Sequence, residues 1–326
     1  TKNGVAGLKV NIDAASTINN NVLAIASPSL SSSSTNSSAS SSSTTTASEP
    51  FSFFDNLETK KVRVYDIDIA YKIFGKGKPL ILIPGFSMTM DMWDPNMLNG
   101  LSSNHTIIIF DNRGVGETTA GNNIKKFSIQ QFANDTAGLL AALKIDNNKP
   151  LDILGASLGG FIAQEFALSY PEKVDTLILY ASTCGGNKAI LPQISHEAMR
   201  SMVSGNASKD LFLSTLFPKE WIKENIEYIE KNFLFPMGKV STENIQRQSE
   251  AATNWNGSCD RLSSITKPTL VITGTEDIIS PPENSLMIAG RIPGAWLVQM
   301  EGGGHGLMFQ YPEKFTRVLE TFLSVS

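Results

Sequence analysis

Between residues 61 and 74 apolar and polar positions alternate twice, over Lys61–Asp66 and over Ile67–Phe74, with Tyr65 and Asp66 at the join. A period of two predicts half-buried strands, and the join suits a hairpin. The pattern then changes to short, almost continuous apolar runs bounded by Gly, Pro or Asp: Leu80–Ile83, Thr106–Phe110, Leu151–Leu154, Thr176–Tyr180, Thr269–Thr273 and Trp296–Gln299. Runs this unbroken suit strands buried on both faces. Helical periodicity falls between most of them, at Ser128–Leu143, Leu158–Ser169, Glu283–Ala289 and Pro312–Leu323. Ser128 and Pro312 stand where helix starts are expected, and Tyr170-Pro171 is a stop. The alternation predicts an α/β protein: a mostly parallel central sheet flanked by helices and entered through an antiparallel edge.

One interval breaks the rhythm. Some ninety residues separate the runs starting at Thr176 and Thr269, far more than a loop needs. They read as amphipathic helices, so a helical cap inserted at about 185–262 is expected. Of its apolar residues Phe212, Leu213, Leu216, Phe217, Trp221, Ile222, Phe233, Phe235 and Trp255, most are expected to form the cap's own core and about a third to face a pocket. At the other end of the chain, residues 27–48 are nearly all Ser and Thr, without a charge. Such a segment buries too little to offset its ordering entropy. Residues 1–50 are therefore expected to be a disordered tail or linker, and 51–326 the folded domain.

Composition narrows the function classes. Hydrophobic residues make up 41% of 326, enough for a sizeable core, and the formal net charge is only −4. No Lys/Arg cluster points to nucleic acid or an anionic membrane surface. No apolar run approaches the roughly 18 residues of a spanning helix, so no transmembrane segment is expected. Cys184 and Cys259 fit no zinc spacing, and no metal is expected. They lie where the chain leaves the sheet for the cap and where it returns. Two unrelated thiols is the plain expectation; a bridge clamping the cap is the other, and a Cα separation above about 7 Å would exclude it.

The chemistry centres on Gly155-Ala156-Ser157-Leu158-Gly159, a G-x-S-x-G pattern with an apolar strand before it and a helix after it. Small residues around a tight strand-to-helix turn let the serine oxygen project at the C-terminal end of the strand. A serine needs a base. Of the three histidines, His105 begins a strand at its wrong end and His196 is in the cap. His305 lies in the loop Glu301-Gly-Gly-Gly-His-Gly306 just after the last strand, a flexible loop opening at the right end of the sheet. For the acid that orients the base, Glu276 and Asp277 both follow a strand directly. Asp277 is preferred, with Glu276 as the alternative. The order Ser157, Asp277, His305 is the one expected on this kind of sheet. Two backbone amides should hold an oxyanion: Leu158, after the serine, and Phe86, after Gly85, where the chain turns back from the first parallel strand. Trp93 is expected to pack beneath that loop, with a place in the pocket wall as the alternative.

"LILIPGFSMTMDMWDP", "TIIIFDNRGVGETT", "ILGASLGGFIAQEFA", "PTLVITGTEDIISPP" and "GGGHGLMFQYPEKF" together resemble the α/β-hydrolase superfamily, over about residues 60–324. They are most similar to its capped serine esterase, lactonase and cofactor-free haloperoxidase-like members. The resemblance implies a Ser157–His305–Asp277 triad, an oxyanion hole at Phe86 and Leu158, and an architectural role for the loop holding Arg113. It implies hydrolysis of small to medium apolar esters or lactones, with no cofactor. Perhydrolysis on the same triad, or a ligand-binding receptor with slow turnover, remain the rival readings. The chain departs from many members in having Pro84 where a histidine precedes the glycine, and Ala156 where a bulkier residue is usual. Serine at 157 argues against haloalkane dehalogenases and the common epoxide hydrolases, whose nucleophile there is Asp. The Ser/Thr-rich spacer leans toward an exported or envelope-bound protein, with a cytoplasmic one still open.

Overall fold

The computed structural model describes residues 9–12, 50–121, 126–145, 149–233 and 240–326. The strands are β1 (Lys9–Ile12), β2 (Lys60–Val64), β3 (Ile67–Gly75), β4 (Lys78–Ile83), β5 (His105–Phe110), β6 (Leu151–Ala156), β7 (Val174–Tyr180), β8 (Thr269–Gly274) and β9 (Trp296–Met300). They form one sheet in the order β1-β9-β8-β7-β6-β4-β5-β3-β2. Only β2 with β3 and β3 with β5 pair antiparallel; every other neighbour is parallel. Tyr65 makes the β2–β3 turn with φ of 49°. The predicted α/β-hydrolase architecture is thus the observed one.

Because side chains alternate across a strand, β4 sends Ile81 and Ile83 to one face of the sheet and Leu80 and Leu82 to the other. The first face is covered by α3 (Ile129–Ala142), α4 (Leu158–Ser169) and α10 (Pro282–Ala289), packing Phe132, Phe166 and Ile288 into it. The second is covered by α2 (Pro95–Ser102) and, after the short α11 (Leu307–Gln310), by α12 (Pro312–Val325), through Met97, Phe315, Leu319 and Phe322. A short helix, α1 (Pro50–Asp55), precedes β2. The start signals act as expected. Ser128 Oγ accepts from the Gln131 amide 3.1 Å away and caps α3, and Pro312 opens α12. Asp94 caps α2 in the same way, 2.7 Å from the Met97 amide.

Between β7 and β8 the chain runs through α5 (His196–Val203), α6 (Lys209–Leu216), α7 (Lys219–Glu224), α8 (Ile226–Asn232) and α9 (Thr242–Thr253). The hinges of this insertion are tied together. Cys184 and Cys259 are bridged by a disulfide with their Cα atoms 4.9 Å apart, which corrects the expectation of two unrelated thiols. The reason is local. The Ser258 amide donates to Cys184 O at 2.7 Å, so the outgoing and returning strands of chain lie side by side. Beside them the Trp255 ring stacks on Phe161 at 4.8 Å and its indole N–H donates to Glu165 at 2.7 Å.

The tail expectation also needs correcting at one place. β1 pairs in parallel with β9, from Lys9 opposite Leu297 to Ile12 opposite Met300. Without it β9 would be an edge whose backbone groups lack partners on one side. The Ser/Thr-rich run 27–48 lies outside the described residues. Among the described residues, no helix is long and apolar enough to cross a membrane.

Candidate active site

Ser157 lies between the end of β6 and the first residue of α4, with φ 53° and ψ −117°. An L-residue rarely adopts this conformation unless its surroundings enforce it. Here three hydrogen bonds do so. The Ser157 amide donates to Tyr180 O at 2.9 Å, and its carbonyl accepts from the Gly160 amide at 2.8 Å and from Ser182 Oγ at 2.9 Å. The flanking glycines explain why strand and helix can come so close. A Cβ at Gly155 would meet the carbonyl oxygen of Gly159, and one at Gly159 would meet that of Ile83.

His305 stands across from the serine, with Nε2 3.0 Å from Ser157 Oγ. Its Nδ1 faces Asp277, 2.8 Å from Oδ2 and 3.0 Å from Oδ1. A carboxylate only accepts, so the ring proton belongs on Nδ1 and the Nε2 lone pair faces the hydroxyl. Asp277 is buried, and its Oδ1 also accepts from the amides of Ile279 (2.9 Å) and Ser280 (2.7 Å). These bonds fix the plane of the carboxylate. Glu276, the alternative acid, is exposed, and its amide donates to Gly303 O. His105 begins β5 at the far end of the sheet, and His196 opens α5 in the insertion and is exposed.

The histidine loop, read as flexible, is fastened along its length. The Gly302 amide donates to Thr275 Oγ1 (2.9 Å), that of Gly304 to Gln310 Oε1 (2.7 Å), and that of Gly306 to Leu216 O at the end of α6 (2.8 Å). Its glycines serve close approach. A Cβ on Gly304 would run into Leu216 O and Pro218. The Tyr180 hydroxyl donates to His305 O. Burial raises that phenol above its usual range and keeps it a donor. Tyr180, Gln310 and Thr275 escaped the sequence reading; the one available signal was a tyrosine at the C-terminal end of a parallel strand.

The other predicted pieces converge on the same end of the sheet. Gly85 brings the loop after β4 against the serine: a Cβ there would lie 3.4 Å from Ser157 Cβ. Phe86 follows and lines the cavity. The Leu158 amide, at the first position of α4, has no intrahelical acceptor. Trp93 is buried in the core, as expected. Arg113 is architectural. It is 2% exposed and forks onto Asp66 (2.9 and 3.1 Å) and Asp135 (2.7 and 2.8 Å). Asp111 accepts from the amides of Met90 (2.7 Å) and Glu117 (2.8 Å), and burial lifts its carboxyl to about 6.

A cavity of about 360 Å³ opens above Ser157 and His305. Its walls are mostly apolar despite Lys209, Thr215 and Thr242, with Met88, Met308 and Phe309 below and Phe212, Leu216 and Phe233 above. Those last three are the third of the cap's apolar set expected to face a pocket. Phe235 lies outside the described residues, and Trp255 serves the hinge instead.

Residues 78–312 match the family model described as alpha/beta hydrolase fold. RutD of Azorhizobium caulinodans, provisionally named a carbamate hydrolase, is 27% identical over 260 residues, covering 79% of this chain and 95% of that protein. BpoC of Mycobacterium tuberculosis, provisionally named a non-heme bromoperoxidase, is 29% identical over 266 residues, covering 79% and 99%. Among solved structures, a thermophilic esterase from Thermogutta terrifontis superposes with a TM-score of 0.69 at 25% identity, over 82% of this chain and 98% of that one.

Proposed function

The chain belongs to the α/β-hydrolase family, and from that premise we propose that it is a serine hydrolase cleaving small to medium apolar esters or lactones through an acyl-enzyme. One observation carries the reading: the unbroken run of hydrogen bonds from Asp277 through His305 to Ser157 at the floor of an apolar cavity.

In the proposed sequence Ser157 Oγ attacks the substrate carbonyl carbon while His305 Nε2 takes the hydroxyl proton. Asp277 holds the ring in the required tautomer and stabilises the imidazolium. The amides of Phe86 and Leu158 donate to the carbonyl oxygen as it gains charge. His305 then protonates the leaving alcohol, and water, deprotonated by the same ring, releases the acid. Acyl transfer of this kind calls for no cofactor.

The apolar walls favour a hydrocarbon acyl or alcohol group over a charged one. A carbamate presents the same carbonyl, so it belongs in the substrate panel. Perhydrolysis would divert the same acyl-enzyme to peroxide, and halide oxidation with and without acetate separates it from hydrolysis. The hinge disulfide and the Ser/Thr-rich segment together support an oxidising, extracytoplasmic location.

The direct test is Ser157→Ala on p-nitrophenyl esters of graded chain length, with lactones and carbamates alongside. Loss of a nucleophilic serine is expected to lower kcat by about 10⁴–10⁶. Turnover by the alanine variant at the wild-type rate would end the proposal.

A further inference from the structure

The loop that carries Phe86 is pinned at three points. Asn112 Nδ2 donates to Pro84 O at 3.1 Å, and the Met90 amide donates to Asp111 at 2.7 Å. Both of those partners belong to the segment just after β5. The third pin comes from the insertion. The Ser87 amide donates to Gln248 Oε1, on α9, at 2.9 Å across 161 residues of sequence.

This third pin bears on the amide next door. Ser87 has φ of 54°, a left-handed conformation in a residue with a side chain. Such a conformation persists where contacts hold it. The Ser87 N–H belongs to the peptide that follows Phe86, so the Gln248 bond sets the plane of that peptide. If it were released, Ser87 would relax toward negative φ, and the Phe86 backbone would turn with it. The Phe86 N–H, the proposed oxyanion donor, sits within the same short turn, closed by the Met88 amide on Gly85 O.

Gln248 itself is a costly way to fill space. It is 0% exposed, and its Nε2 is buried with no hydrogen-bond partner among the described residues. An amide that leaves both N–H donors unpaired is a poor stabiliser compared with an apolar side chain of equal length. What it supplies is an acceptor for Ser87. The orientation of the amide follows from chemistry, because a backbone N–H can face only the oxygen. α9 is a firm base for this contact. Asn244 Nδ2 donates to Gly114 O at 2.9 Å, and the Arg247 guanidinium lies 5.7 Å from the Phe127 ring centroid. The same helix contributes Ile245 to the cavity wall.

We infer that Gln248 is a positioning residue, through which the inserted helices hold the Phe86 amide in register for the oxyanion. The inference rests on the proposed serine-hydrolase reading and deepens it. The insertion would then complete the catalytic geometry as well as enclose the substrate.

The test compares Gln248→Met, which keeps length and removes the acceptor, with Gln248→Glu, which keeps an acceptor oxygen in either charge state. Gln248→Leu is prepared as a second acceptor-free variant in case the first does not fold. In the acceptor-free protein kcat is expected to fall about tenfold, short of the 10²–10³ that follows outright loss of an oxyanion donor. KM should stay within about twofold, because the change acts on the transition state rather than on ground-state binding. Inhibition by phenylboronic acid, whose serine adduct places an oxygen in the oxyanion position, should weaken by the same factor as kcat. Gln248→Glu should recover at least a third of wild-type kcat. A kcat within about twofold of wild type in the acceptor-free variants, a loss carried by KM alone, or a folded Glu variant as impaired as Met would overturn the inference. Ser157→Ala is measured alongside. If it is inactive while Gln248→Met is normal, this inference alone fails; if it is active, the hydrolase reading fails and takes the inference with it.

Discussion

Removing the Cys184–Cys259 bridge should lower stability strongly while leaving catalysis almost untouched. The disulfide closes a loop of sequence separation 75 that contains all five inserted helices. In the chain-entropy treatment a closed loop of about 75 residues restricts the unfolded chain by about 4.5 kcal/mol at 25 °C. The native hinge does not need the bridge to stay together. The Ser258 amide bond to Cys184 O, the Trp255–Glu165 bond, and Arg261 on Glu165 Oε2 at 2.9 Å all remain when it is gone. Those contacts exist only in the folded state, so they cannot replace a constraint that acts on the unfolded one. The change should therefore appear almost wholly as lost stability. Unfolding entropy of about 2.1 cal/mol/K per residue gives about 0.55 kcal/mol/K for the described part of the domain, and hence a drop of about 8 °C in Tm. The assay is thermal unfolding of Cys184→Ala/Cys259→Ala against wild type, with and without reductant. Alanine avoids placing a hydroxyl in a site where both cysteines are buried. kcat at 25 °C should be unchanged within about twofold, because no catalytic contact moves. A Tm drop below about 2 °C would refute the entropic argument, and free thiols titrating in the denatured, unreduced wild type would refute the bridge itself.

Two further outcomes follow from buried charges. Burial raises the Asp94 carboxyl from 3.8 to about 6, so the folded protein holds this proton more tightly than the unfolded chain, and stability contributed here falls as pH rises from about 4 to about 6. A shift of about two pH units sets an upper bound of about 3 kcal/mol. Asp94→Asn keeps an oxygen for the Met97 amide, and it should raise the urea midpoint at pH 7.5 while leaving pH 4 nearly unchanged; equal effects at both would contradict this account. Arg113→Ala strands Asp135, itself only 4% exposed, and should cost about 3–5 kcal/mol in urea unfolding. KM of the folded enzyme should not change, and a KM rise of more than about fivefold would make Arg113 a substrate clamp instead.

Much of the site could be read from the chain because each piece carries a local demand. Ser157 must project from a tight turn, so small residues flank it at 155, 156 and 159. Asp277 and His305 follow buried strands whose apolar runs are plain in the sequence, and parallel strands deliver their ends to one side of a sheet. The insertion was visible as helical periodicity where a loop should have been. What stayed hidden were partners chosen by distance rather than by neighbourhood. Gln248 reaches Ser87 over 161 residues, and nothing in its own helix marks it out from any other polar residue. Tyr180 looks like the end of a buried strand until its hydroxyl is found on His305 O. The loop around His305 reads as flexible from its glycines, yet those glycines let it press against α6.

From the order of its residues alone this chain settles an alternation of strands and helices, and the sites at strand ends where a nucleophile, an acid and a base can stand. Hydrophobic periodicity and backbone conformational preference act over a few residues, so they are written locally. Only the folded chain decides that Cys184 lies beside Cys259, that β9 gains a partner in β1, and that α9 grips the loop bearing Phe86. Those contacts depend on how elements far apart in sequence pack against one another, and hydrogen bonds of about three ångströms are selected by that packing rather than by composition.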